Sequence, residues 1–474
     1  MNSGTEKTRL LTNTEDVVRE KPTKISVECL VCLISILHYV SSIIESLLVT
    51  EYTYQYISTR TQGKPSQLGF SHSSSNENCS AHKNEAQEKS AQWNSYYVYA
   101  EYVPGLFVVA WGGVMSDYYG RKFFIVLPVL GTFLRCFATL VVLQYNLDII
   151  YLLIGCLLAG FTGTHYTMDI AICGVVADIS KYDKSRTFKL ALLHLYAGIA
   201  STLAQVSTGY MIKYLGFLIP CVVSQALCVL NVIAGLYIPE TLAKSRRKTN
   251  SDNCCQKIGR FFAFYTSSSN LRDGKVWQFV LCLLSLAFCL SPYTTRSGMD
   301  IIYFLGQPFC FSSEKIGWYN SANSFLCLCV SVFVLKLFHL CINDEFITIL
   351  SCISGILCFS IQGFASVWWM LYVAAGCGVI SLNSLPVIKG IMSRLVDETR
   401  QGALFANIFF LETICRLFAS SLFFNIYAAT QDIMRGFVYL VYAGFITVGA
   451  ILMIPVMISA RQNLRRIREI SIQT

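Results

Sequence analysis

Apolar stretches of roughly 20 residues recur along this chain, and polar and charged residues gather between them. A stretch of that length crosses the hydrocarbon of a bilayer as a helix, because only a helix satisfies every backbone N–H and C=O within its own segment. The stretches centre near Ile36, Leu106, Val129, Leu158, Ala200, Leu227, Leu286, Val330, Ile356, Gly376, Leu417 and Val448. The pattern predicts an all-α membrane protein with twelve transmembrane helices. A polar stretch over residues 241–275 divides them into two six-helix halves, 25–240 and 276–460, flanked by tails 1–24 and 461–474. Within the first half, a Ser/Asn/Gln/Glu-rich loop is expected over about 50–93. Two pseudo-repeated halves are a common plan among secondary transporters.

Composition agrees with a membrane and excludes a water-soluble domain: 54% of residues are hydrophobic, 14% are charged, and mean hydropathy is +0.52. The net charge of +9 follows from topology, since basic short loops stay cytosolic. Arg9, Arg19, Lys21 and Lys24 precede the first span, Arg121 and Lys122 follow the second, and Lys181, Lys184, Arg186 and Lys189 follow the fourth. Lys244, Arg246, Arg247 and Lys248 lie in the central stretch, and Arg461, Arg465, Arg466 and Arg468 in the tail. Both termini are therefore expected in the cytosol. A nucleic-acid partner is not expected, for want of a basic soluble face with interleaved aromatics.

The long polar loop carries the sequon Asn78-Cys79-Ser80 on the non-cytosolic side, where glycosylation occurs. Most of the 20 cysteines lie in apolar spans and read as small hydrophobes. Cys79 and Cys310 differ, because each falls in a non-cytosolic segment where a disulfide persists, and a bridge between them would tether the two halves. No cleavable signal is expected in the first 24 residues, which are polar. They do hold Glu6-Lys7-Thr8-Arg9-Leu10-Leu11, which resembles an acidic dileucine signal read by sorting adaptors; Glu6, Leu10 and Leu11 would direct the chain to endosomes and lysosomes, with the plasma membrane as the alternative.

Gly113, Asp117, Gly120, Arg121 and Lys122 match the G-x-x-x-D-x-x-G-R-K signature that follows the second span in the major facilitator superfamily. Within it, Arg186-Thr187-Phe188-Lys189-Leu190-Ala191-Leu192-Leu193, Pro386-Val387-Ile388-Lys389, Gln401-Gly402-Ala403-Leu404-Phe405 and Phe410-Leu411-Glu412-Thr413 resemble solute carrier family 46, the proton-coupled folate transporter family. Pro308-Phe309-Cys310 and Ile316-Gly317-Trp318 are similar to that family's loop between spans seven and eight, whose cysteine is bonded to one in the first loop. Asp117-Tyr118-Tyr119-Gly120-Arg121-Lys122-Phe123 leans towards its lysosomal member. The resemblance implies alternating access and a latch in which Asp117 meets the start of span eleven at Gly402 and Ala403. Helix N-termini favour such a carboxylate, and small residues let it approach.

An ionisable side chain inside hydrocarbon is expensive, and usually faces a cavity or a partner. Glu45, Glu101, Arg135, His165, Asp169, His194, Asp300, Lys389, Glu412 and Arg416 all lie within spans. Four-residue spacing places His165 and Asp169 on one face, pairs Glu412 with Arg416, and pairs Arg296 with Asp300. His194 stands where the folate carrier has an acidic residue tied to proton coupling, and Lys389 where it has a cation near substrate. His194, Asp169, Asp300 and His165 are the proton-coupling candidates; Lys389, Arg296 and Glu45 are the substrate-binding candidates. No H-E-x-x-H, G-x-S-x-G or Walker loop suggests an enzyme. No cofactor is expected, with a proton as coupling ion. The expected partners are a small organic anion, membrane lipid and the sorting adaptor. Folates, steroid conjugates, muropeptides and cyclic dinucleotides are the substrates that family analogy offers; a transport-inactive scaffold or receptor on the same fold is the alternative.

Overall fold

The computed structural model describes residues 24–61, 83–179, 184–242, 247, 276–330, 333–334, 337, 344–396 and 401–473. Helices α1 (Lys24–Thr61), α2 (Lys83–Tyr119) and α3 (Arg121–Tyr145) come first. A fourth span is made by α4 (Leu152–Thr162) and α5 (His165–Ile179), and α6 (Lys184–Leu215) and α7 (Leu218–Tyr237) complete the first half. The second half holds α8 (Val276–Leu305), α9 (Ser313–Phe325), α10 (Asp344–Gly363), α11 (Trp368–Cys377) with α12 (Ser384–Leu395), α13 (Gln401–Thr430) and α14 (Phe437–Gln473). Joining α4 to α5 and α11 to α12 gives twelve spans among the described residues, in the predicted order.

Among the described residues, nine of these spans are long and apolar enough to cross a membrane by length and composition alone. The most extensive packing between the halves is that of α2 on α13 and of α6 on α9. Helices also run past the apolar pattern. Residues 50–61 and 83–93, expected in a loop, are helical, and α14 extends through the basic tail. Apolar content marks only the part of a helix that sits in hydrocarbon, and polar turns continue beyond it.

Local chemistry explains two boundaries. Gly120 sits at φ 112°, a left-handed conformation in which glycine carries no steric penalty, and this tight turn separates α2 from α3. Gly163, at φ 92°, breaks the fourth span so that α5 starts afresh at His165. The tenth span is broken as well, by a turn and a short 3-10 segment, Ser381–Asn383, ahead of Pro386 in α12. The two interruptions fall in the fourth span of each half. Broken helices at corresponding places in two repeats point to where a transporter binds its cargo.

The halves are joined most firmly on the face that carries Cys310. There, Gln87 donates through Nε2 to the Ile302 carbonyl at 3.0 Å and to the Tyr427 hydroxyl at 3.1 Å. The Ser313 hydroxyl donates to Glu51, Lys213 pairs with Glu314, and Trp318 Nε1 donates to Tyr210 at 3.1 Å. A hydrophobic cluster containing Leu48, Tyr52 and Phe217 continues into Met299, Tyr303 and Tyr319 of the other half. Towards the Gly120 face, a separate cluster of Ile34, Phe124, Met168 and Val175 belongs to the first half alone. The shared core thus closes the Cys310 face.

Candidate functional site

A cavity of about 320 Å³ lies between the halves. The first half supplies α1, α2, α3 and the α4–α5 break to its wall, and the second half supplies α8 and α13. Its size suits a small organic molecule.

Three charged residues of the first half form one unit in this wall. Arg135 Nε donates to Glu45 Oε2 at 2.9 Å, and its Nη1 donates to Glu101 Oε2 at 2.9 Å. Glu45 also accepts from the Thr139 hydroxyl at 3.1 Å and the Cys136 thiol at 3.0 Å. Two carboxylates sharing a single guanidinium leave one negative charge uncancelled. A largely buried ionic group of this kind requires such partners, since desolvation costs several kcal/mol per ion.

Opposite stands Arg416. Its Nη1 donates to the Thr294 carbonyl at 3.0 Å and its guanidinium lies 4.9 Å from the Tyr102 ring centroid, while its buried Nε has no hydrogen-bond partner. The expected Glu412–Arg416 pair does not form. Glu412 is held instead by Lys389 from α12. Spacing along one helix shows which charges are neighbours on it, and a lysine arriving from another helix outcompetes that neighbour. Arg416 is left as a cavity cation with no carboxylate partner among the described residues.

The remaining candidates separate by place. Glu45 and His165 line the cavity, and the Tyr102 hydroxyl lies 3.4 Å from His165 Nδ1. Asp169 shares a helix face with His165, yet both its oxygens accept from the Tyr39 hydroxyl, at 3.0 and 2.9 Å. Lys389 is not in the cavity wall. Nor is Arg296: its Nε donates to Asp300 at 3.3 Å and its guanidinium lies 5.1 Å from the Phe359 ring, on the side of α8 turned into the second half. Asp300 is saturated there by Gln362 at 2.9 Å and Tyr439 at 2.7 Å. The expectation that Arg296 binds substrate is therefore corrected: this cation is spent on packing that half.

The glycine-rich turn forms a second charged unit. Glu240, at the end of the sixth span, accepts from the backbone N–H of Arg121 at 2.9 Å, Lys122 at 3.3 Å and Leu242 at 3.0 Å. It caps the start of α3, where helix N–H groups lack partners. A Cβ on Gly120 would overlap the Glu240 carboxylate. Arg121 reaches Ser116 at 2.8 Å and Asp178 of α5 at 3.5 Å, and Lys122 Nζ donates to the Leu236 carbonyl at 2.7 Å. The turn thereby ties the second, fourth and sixth spans together. Gly113 and Asp117 lie in the last turns of α2, and Ala403, in the first turn of α13, is exposed. The side chains of Asp117 and His194 and the surroundings of Gly402 lie outside what is described, as do Glu6, Leu10, Leu11, Asn78 and Cys79 altogether. Cys310 is disulfide-bonded.

Sequence reasoning missed Glu240 and Asp178. Pro239-Glu240-Thr241, a carboxylate directly after an apolar span and before basic residues, was the available signal. Arg416, Glu101 and Arg135 were noticed as charges within spans, but helix spacing cannot pair residues across helices.

Residues 84–420 match the model of the Major Facilitator Superfamily. The chain is 29% identical over 420 residues to the proton-coupled folate transporter of Rattus norvegicus, covering 86% of this chain and 88% of that one. It is 27% identical over 415 residues to the human lysosomal proton-coupled steroid conjugate and bile acid symporter SLC46A3, covering 84% and 88%. The two kinds of relative are matched about equally. Among solved structures, the human organic anion transporter MFSD10 (TETRAN) superposes with a TM-score of 0.63 at 13% identity, covering 91% of this chain and 100% of that one. A POT family transporter in complex with 5-aminolevulinic acid superposes with a TM-score of 0.63 at 9% identity, covering 92% and 96%. With the signature turn, the two halves and the central cavity in place, the chain belongs to the Major Facilitator Superfamily as a multi-pass membrane transporter.

Proposed function

We propose that this transporter carries an organic anion together with a proton by alternating access, with the cargo bound in the cavity between the halves. The observation that carries the reading is Arg416, a guanidinium in the cavity wall that forms no ion pair with a carboxylate among the described residues. Such a group binds carboxylate, sulfate or sulfonate through paired charge-assisted hydrogen bonds. Tyr97, Tyr102, Tyr293 and Phe424 give the same wall aromatic surface for a ring-bearing scaffold. Folate and steroid or bile-acid conjugates, for which the relatives are named, combine acid and rings, and both relatives are named as proton-coupled.

The further parts of the proposal follow the charge pattern and the resemblance. The Gly120 face and both termini lie in the cytosol, and the lysosomal membrane is the destination. Asn78 is glycosylated, and Cys79 is the partner of Cys310. Asp117 latches the cytosolic side against the start of α13 near Gly402 and Ala403, alternating with the closure on the Cys310 face. His194 stands in for the family's acidic residue, while Lys389 acts through Glu412 and not on the cargo directly.

Uptake by purified protein in liposomes, acidic on the Cys310 side, tests the reading. Tritiated folate and tritiated taurocholate are expected to distinguish themselves from uncharged sterol, at least one entering faster in acid. Entry of neither, with no counterflow of either, favours the inactive scaffold.

A further inference from the structure

We propose that the coupled proton is carried by Glu101, and that its protonation is what readies Arg416 for the anion. The inference rests on the anion-symport reading and adds the group that links it to pH.

Glu45 and Glu101 share Arg135, yet the two are not equivalent. Glu45 is held by Arg135, Thr139 and Cys136 and its side chain is 4% exposed. Glu101 has one hydrogen bond among the described residues, from Arg135 to Oε2; its Oε1 has no protein donor, and the side chain is 15% exposed in the cavity wall. A proton arriving by water therefore meets a free oxygen on Glu101 and a saturated carboxylate on Glu45. Protonated Glu101 leaves Arg135 and Glu45 as a self-cancelling pair.

The other titratable and charged groups of the wall around Glu101 come from each packed helix: His38, Tyr39 and Glu45 on α1, Tyr97 and Tyr102 on α2, Arg135 on α3 with Cys136 beside it, Cys156 on α4, His165 on α5, Tyr293 on α8 and Arg416 on α13. With the histidines neutral, two carboxylates and two guanidiniums cancel, so the resting cavity has no charge to offer an anion. One proton on Glu101 makes it a cation centred on Arg416, whose guanidinium lies over the ring of Tyr102, the neighbour of Glu101 on α2. The anion then binds without a competing carboxylate. On the other side, the O–H bond of Glu101 breaks, the proton leaves to water, and the restored carboxylate expels the anion. One proton moves with one monoanion, and no net charge crosses.

Full-length protein in liposomes, with tritiated taurocholate as probe, separates this from the histidine alternatives; its sulfonate stays ionised across the pH range, so any pH effect belongs to the protein. Wild type is expected to gain uptake as pH falls from 7.5 to 5.5, by up to roughly tenfold per pH unit, and to be indifferent to membrane potential. Glu101→Gln, which mimics the protonated acid, is expected to keep counterflow and lose the acid stimulation, and Glu101→Asp to recover it. Wild-type acid stimulation in Glu101→Gln, or its loss in His165→Ala alone, overturns the proposal. A substrate-free readout covers a chain that does not carry taurocholate. The infrared difference between pH 7.5 and 5.5 should contain a carboxylic-acid carbonyl band that disappears in Glu101→Gln and shifts in Glu101→Asp; an unchanged band in both refutes it. No taurocholate or folate flux in wild type, with the band behaving as stated, fails the transport reading and leaves the proton site standing.

Discussion

Replacing Arg416 by alanine should weaken cargo binding far more than replacing Lys389 by methionine, which reverses the order expected from position in the sequence. Arg416 lines the cavity and donates to a single carbonyl among the described residues, so its other terminal N–H groups are available to an anion. A hydrogen bond to a charged group contributes about 1.5–3 kcal/mol, so losing one such bond should raise KM roughly ten- to 150-fold. Arg416→Lys keeps the charge without the planar fork and should fall between. Lys389 is committed to Glu412, whose side chain is 7% exposed. Removing the lysine strands a buried carboxylate and should cost about 3 kcal/mol of stability, with KM little changed. Concentration-dependent uptake by reconstituted protein gives KM, and thermal unfolding in detergent gives stability. Wild-type KM in Arg416→Ala, or a KM increase in Lys389→Met as large as that in Arg416→Ala with stability intact, would refute the assignment.

Three more outcomes follow from the turn and the tail. Glu240→Ala removes the acceptor for the Arg121, Lys122 and Leu242 N–H groups and should lower stability by about 1–2 kcal/mol, read as a lower unfolding temperature and slower turnover at unchanged KM. Asp117→Ala should slow net flux while leaving the ranking of competing anions as it is; an altered ranking at normal flux would count against the latch. Leu10→Ala with Leu11→Ala should shift the protein from lysosomes to the cell surface, scored by surface biotinylation, and unchanged lysosomal delivery would remove the sorting assignment.

Architecture was readable because hydrocarbon imposes a single rule on every span. Twelve apolar stretches became twelve helical spans among the described residues, and the ends at residues 50–61 and 83–93, expected in a loop, are those where helix outlasts the apolar pattern. The signature turn was equally legible, since Gly120 answers to a backbone angle and Arg121 and Lys122 to local neighbours. The cavity was legible only in part. Glu45 and His165 were identified as charges in spans, and both line it. Arg416 and Glu101 were not assigned there, because their roles depend on Lys389 and Arg135 arriving from other helices. Arg296 shows the converse: a charge in a span whose partners, Asp300 and Phe359, lie inside one half. Helix spacing reports neighbours on one helix, and tertiary packing decides between them.

The most direct test of the account is the steady-state accumulation of the best-carried anion in liposomes as the pH difference across the membrane is varied. Each pH unit is worth about 1.4 kcal/mol, so one-to-one electroneutral symport should raise the accumulation ratio about tenfold per unit. The gradient of cargo should collapse when a protonophore removes the pH difference and persist when the membrane potential is clamped to zero. An internal concentration that never exceeds the external one, at any pH difference, would contradict proton-coupled transport by this chain.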